Sequence, residues 1–141
     1  MKKMILPLLL ALGGCATLTT PEQYKQPIDP SCKVKVEIDK SLAFMIDPTT
    51  VIRSEACSRE KLRDRDITIR VFVFACLNNG YNPVSDQNVV AKIELDYSGE
   101  KSSPVFKEFE YGYVGFSFDE ECGAILWPLL PKIINRVEDS L

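Results

Sequence analysis

From Lys33 the chain alternates, with Val34, Val36 and Ile38 on one side and Lys33, Lys35 and Glu37 on the other. A period of two predicts a half-buried strand. Asp39-Lys40 separates it from a second apolar run at residues 42–46, expected to return as a hairpin, and Asp47-Pro48-Thr49-Thr50 ends that run as a turn. The alternation is clearest at residues 89–97. Val89, Ala91, Ile93, Leu95 and Tyr97 form an apolar face opposite Val90, Lys92, Glu94 and Asp96. Ser98-Gly99-Glu100-Lys101 then reads as a turn, and a return strand starts at Val105.

In that return strand Val105, Phe109, Tyr111 and Tyr113 share one parity while Glu108 and Glu110 take the other. Past Gly112 and Gly115 the parity flips to Phe116 and Phe118, which a bulge at one of the glycines would explain. From Pro128 the period lengthens. Leu130, Ile134, Val137 and Leu141 recur at helical spacing, with Pro128 and Pro131 suited only to the first turn. Residues 67–74 fit two readings. Ile67, Ile69, Val71 and Val73 alternate as in a strand, yet Leu62, Ile69, Val73, Cys76 and Leu77 form a helical stripe. Asn79-Gly80 suits a hairpin turn or a helix C-cap.

The chain opens differently. Lys2-Lys3, an apolar run at residues 4–12 and the small residues Gly13-Gly14 precede Cys15. Nine apolar residues rise only about 14 Å as a helix, too short to span a bilayer. The layout is that of a secretory signal. Leu12-Gly13-Gly14-Cys15 resembles the lipobox of bacterial lipoproteins. The resemblance covers residues 1–15 and implies cleavage before Cys15 and acylation of its thiol. It also implies a membrane anchor of three acyl chains and, with Ala16 rather than Asp next, the periplasmic face of the outer membrane. Residues 16–31, rich in Thr and Pro without periodicity, read as a flexible tether. The expected organisation is a signal peptide at 1–14, a lipidated tether at 15–31 and one domain at 32–141. Within it, a charged helix ending in Leu-x-x-Gly-Tyr before a polar linker and a long strand resembles small periplasmic lipoprotein domains. That resemblance favours the helical reading of the ambiguous segment. The expected fold is α+β, a twisted antiparallel sheet with one or two helices packed on one face.

Charge and composition narrow the chemistry. The net charge of −3 becomes more negative once Lys2 and Lys3 leave, which disfavours nucleic acid as a partner. Arg53, Arg59, Lys61, Arg63, Arg65 and Arg70 are interleaved with Glu55, Glu60, Asp64 and Asp66, a pattern of a solvated, salt-bridged face. The chain contains no histidine, which removes His-dependent triads and His-ligated zinc. No cofactor or metal is expected; Asp119-Glu120-Glu121 reads as an acidic turn before a helix, without the glycine-centred loop of a calcium site.

Cys32, Cys57, Cys76 and Cys122 are even in number and lack a CxxC spacing, so two disulfides are expected in an oxidising compartment. On the helical reading Cys57 and Cys76 would stand up to about 28 Å apart, beyond disulfide reach. Two connectivities remain: 32–57 with 76–122, or 32–76 with 57–122. The first is adopted for its short 32–57 loop.

Seven aromatics lie within residues 106–127, and a strand whose parity changes midway must show aromatics on both faces of the sheet. Tyr111, Tyr113, Phe116 and Phe118 are therefore the candidate contacts for an envelope partner. The expected function is a lipid-anchored periplasmic protein with a non-enzymatic binding or scaffolding role. The alternative is a carboxylate-dependent hydrolase of cell-wall or surface polysaccharide.

Overall fold

A computed structural model describes residues 18–39, 47–78, 89–113 and 117–141. The fold is α+β. Strands β1 (Lys35–Ile38), β2 (Thr68–Asn78), β3 (Val89–Ser98) and β4 (Phe106–Gly112) form one sheet in that spatial order. Helices α1 (Pro48–Cys57), α2 (Glu60–Arg63), α3 (Phe118–Leu126) and α4 (Leu129–Ser140) accompany it. α4 and α3 pack on β3 and β4, while α1 packs on β1 and against α4.

The ambiguous segment is a strand, which corrects the helical reading. The register of β2 against β3 steps between Val71 and Val73. Before the step Ile69 and Val71 are buried opposite Tyr97 and Leu95; after it Phe74 and Cys76 are buried opposite Ile93 and Ala91. One extra residue moves the buried set from odd to even numbers. A bulged strand thus lost its strict alternation and imitated a helical stripe, while its β-branched content still favoured the extended backbone.

The sheet is mixed rather than purely antiparallel. β2–β3 and β3–β4 are antiparallel, but β1 runs parallel to β2, with Val36 beside Ile69. Parallel neighbours need a long crossover, and α1 with α2 supplies one. Asp47-Pro48 begins α1 rather than closing a turn. The Asp47 carboxylate accepts from the Thr49 N–H at 2.9 Å, and Pro48 takes the first helical position, where a missing N–H costs nothing. The expected hairpin partner at residues 42–46 lies outside the described residues, as do Asn79-Gly80 and Gly115.

The expected tether is also corrected for the residues described. A 3₁₀ turn spans Glu22–Lys25, and Leu18 and Tyr24 are buried members of the main core. The Trp127 indole N–H donates to the Thr19 carbonyl at 3.1 Å, and the Tyr24 ring lies 5.8 Å from that of Trp127. A segment without periodicity can still dock through two apolar side chains when aromatic surface on another element receives them.

The apolar face of β3 is buried as its alternation predicts, at Val89, Ala91, Ile93, Leu95 and Tyr97, and Val90 and Asp96 of the other face are buried as well. Leu130, Ile134 and Val137 of α4 join the apolar face, together with Ile133. The pairs Cys32–Cys57 and Cys76–Cys122 are disulfides with Cα separations of 5.8 and 5.9 Å. The adopted connectivity is therefore present, though the helix used to exclude 57–76 is not. What separates those two cysteines is placement: Cys57 ends α1, while Cys76 faces α3 from β2.

Candidate functional site

β4 sets the site through an inversion of its aromatic and charged faces. The even residues turn toward the helices. Phe106 is buried beneath the Arg136 guanidinium at 5.3 Å, Glu108 pairs with Arg136 at 3.8 Å, and Gly112 sits against α3. A Cβ at Gly112 would stand 2.6 Å from the Glu121 carboxylate and 3.1 Å from the Ile125 side chain. The odd residues therefore point to the other side of the sheet. Phe109 is 54 %, Tyr111 41 % and Tyr113 57 % exposed.

Cross-strand register places Leu77, 41 % exposed, on the same face as Tyr111 across the buried Val90, and sets Lys92 between Phe109 and the buried Ala75. The Phe109 and Tyr111 rings meet edge to face with centroids 5.7 Å apart, a favoured aromatic geometry. Beside them a recess of about 220 Å³ is lined by Lys92, Glu94, Lys107, Glu108, Phe109 and Tyr111. Glu94 pairs with Lys107 at 3.9 Å across the strands. Further along the same face Arg70 grips Asp96 with two hydrogen bonds of 2.8 and 2.5 Å.

Of the four aromatic candidates, Tyr111 and Tyr113 share this open face. Phe118 does not: it begins α3 and is partly buried against the core, because the strand has ended at Gly112. Phe116 and the expected parity change lie outside the described residues. Phe109 and Leu77, unnamed as candidates, complete the surface. The parity of Phe109 with Tyr111 was legible; its direction was not, because it depends on which side the helices pack.

The remaining charged candidates resolve into structural roles. Asp119, Glu120 and Glu121 form the first turn of α3, where carboxylates complement the helix dipole, and Ser117 caps it by accepting from the Glu120 N–H. The basic cluster disperses. Arg53 donates to the Val34 and Cys32 carbonyls, Arg63 pairs with Glu60, and Arg59 joins Glu55 to Glu138. Glu94 and Glu108 both line the recess, yet by strand parity they issue from opposite faces of the sheet. They do not form the facing carboxylate pair that glycoside hydrolysis requires. Among the described residues no helix is long and apolar enough to cross a membrane.

These features define a class: a disulfide-stapled α+β domain with helices on one sheet face and an exposed aromatic strip on the other. No protein-family model, curated protein or solved structure matches the chain.

Proposed function

We propose that this chain is a lipid-anchored protein of the bacterial periplasm, held on the outer membrane through Cys15, and that it binds an envelope partner rather than catalysing a reaction. The observation that carries the binding role is the strip of Leu77, Phe109, Tyr111 and Tyr113, exposed on the sheet face away from the helices. Exposed aromatic area flanked by charged residues suits a protein interface. The two disulfides are in keeping with an oxidising compartment.

The docking of Leu18 sharpens the anchor. Only Ala16 and Thr17 separate Cys15 from that buried residue, and three residue steps reach at most about 11 Å. The domain would ride against the bilayer instead of at the end of a long leash.

The anchor is tested by mass spectrometry of the membrane fraction. An acylated N-terminus at residue 15 is expected, with Cys15→Ser leaving the precursor uncleaved; a soluble product retaining residues 1–14 refutes it. The binding role is tested with a photo-crosslinking residue at position 109 or 111, and a control at exposed Lys132 on α4. A specific adduct from the strip, lost in Phe109→Ser/Tyr111→Ser with the melting temperature kept, is expected. Equal labelling from all three positions overturns it.

A further inference from the structure

We propose that the partner is engaged by strand addition: an extended segment in which apolar residues alternate with lysine or arginine pairs with the free edge of β4. This rests on the binding role above and specifies its mode. β4 is an edge of the sheet among the described residues. In an antiparallel ladder alternate residues turn their main-chain groups toward the neighbour and away from it. The Lys107 carbonyl accepts from Arg136 at 2.7 Å, and the Tyr113 N–H donates to Glu121 at 3.3 Å. Both partners come from helices rather than from β3, so residues 107, 109, 111 and 113 point their main chain outward. The two ends of this edge are capped by side chains. Between them, among the described residues, no hydrogen bond caps Phe109 or Tyr111. The uncapped stretch coincides with the two exposed rings.

Charge selects the occupant. A strand laid on this edge would set side chains opposite residues 109 and 111 on the aromatic face, and side chains opposite 110 and 112 on the helix side. There it would meet Glu110, which is exposed and in no ion pair among the described residues, and Glu121 beside Gly112. Apolar residues against the rings and basic residues against the carboxylates satisfy both faces. A second copy fits poorly. An antiparallel pair of β4 strands uses both uncapped residues of each copy only when 109 faces 111 of the other, and that register sets Glu110 against Glu110. Like charges directly opposite are destabilising.

The test uses the purified mature lipoprotein in detergent micelles and the blocked peptide Val-Lys-Val-Lys-Val-Lys-Val, read by fluorescence anisotropy. Binding should exceed that of the Val/Glu counterpart, and Glu110→Lys should shift the ratio toward the acidic peptide by about fivefold. N-methylation of alternate peptide nitrogens should abolish binding in one of the two phases, the mark of main-chain pairing. No binding, no charge preference, or indifference to N-methylation in both phases overturns strand addition. Concentration-dependent dimers lost on Phe109→Ser/Tyr111→Ser would assign the edge to a second copy and overturn it too. If crosslinking from positions 109 and 111 persists while the peptide fails, strand addition alone is wrong; if crosslinking fails, so does the binding role.

Discussion

Glu55 keeps a carboxylate at 8 % exposure because two residues, Tyr24 and Arg59, supply its partners. The Tyr24 hydroxyl donates to it at 2.8 Å, and Arg59 approaches its other oxygen through two nitrogens at 2.9 and 2.8 Å. Arg59 also hydrogen-bonds Asn135 and pairs with Glu138 at 3.5 Å, so one network ties the N-terminal segment, α1 and α4. Removing the guanidinium leaves a buried charge short of a partner. Arg59→Met should cost about 3 kcal/mol in urea unfolding. Burial, then the hydrogen bond to Glu55 and its charge, push the Tyr24 phenol up from 10.0 to about 12. A raised folded pKa means the stabilisation is complete below pH 10 and fades as pH rises toward 12. The stability gap between wild type and Tyr24→Phe should therefore be constant up to pH 10 and shrink above it; a gap unchanged at pH 12 would contradict this. Gly99 is another fixed point. A Cβ there would stand 2.8 Å from the Asp66 carbonyl oxygen, which is backbone and cannot swing away. Gly99→Ala should destabilise by about 1–3 kcal/mol in the same measurement.

At the level of elements the disulfides join what the sheet hydrogen bonds do not. Cys32–Cys57 ties the lead-in of β1 to the end of α1, and Cys76–Cys122 ties β2 to α3. Removing both cysteines of either bridge should cost about 2–4 kcal/mol. Loss of the 76–122 bridge should also loosen α3, whose Glu121 side chain caps the end of β4. Hydrogen exchange at the Tyr113 amide should then rise in Cys76→Ala/Cys122→Ala and stay unchanged in the 32–57 double variant. The β2 bulge belongs to this scale as well. It lets one strand bury Ile69 and Val71 and then Phe74 and Cys76 on the same side.

For the whole molecule, the boundary of the folded unit lies upstream of Cys32. Leu18 packs near Gly123 of α3, Thr19 accepts from Trp127, and Tyr24 reaches Glu55. A chain trimmed to residue 32 should be several kcal/mol less stable than one starting at residue 18, since two buried side chains and a buried hydrogen bond go with the segment. Denaturant unfolding followed by Trp127 fluorescence measures the difference. Equal midpoints would show that residues 18–31 contribute nothing to the fold.

Local pattern by itself determined β3, the helix from residue 129, the pairing-competent cysteines and the α+β class. Each depends on a period or a count that neighbours in the chain fix: Ala91 to Tyr97 alternate apolar with charged residues, and Leu130, Ile134 and Val137 keep one helical stripe. The start of α1 was written locally too, in Asp47-Pro48, but its amphipathic signal was weak beside the turn chemistry. Tertiary structure alone decided the rest. β2 became a strand because β3 pairs with it on both sides of the bulge and β1 pairs with its first four residues, Thr68 to Val71. Leu18 and Tyr24 were drawn into the core by surface presented from α1, α3 and Trp127. The aromatic parity of β4 turned outward because Phe106 and Gly112, not Phe109 and Tyr111, fit beneath the helices. A period of two states which side chains share a face; only packing states which face meets water.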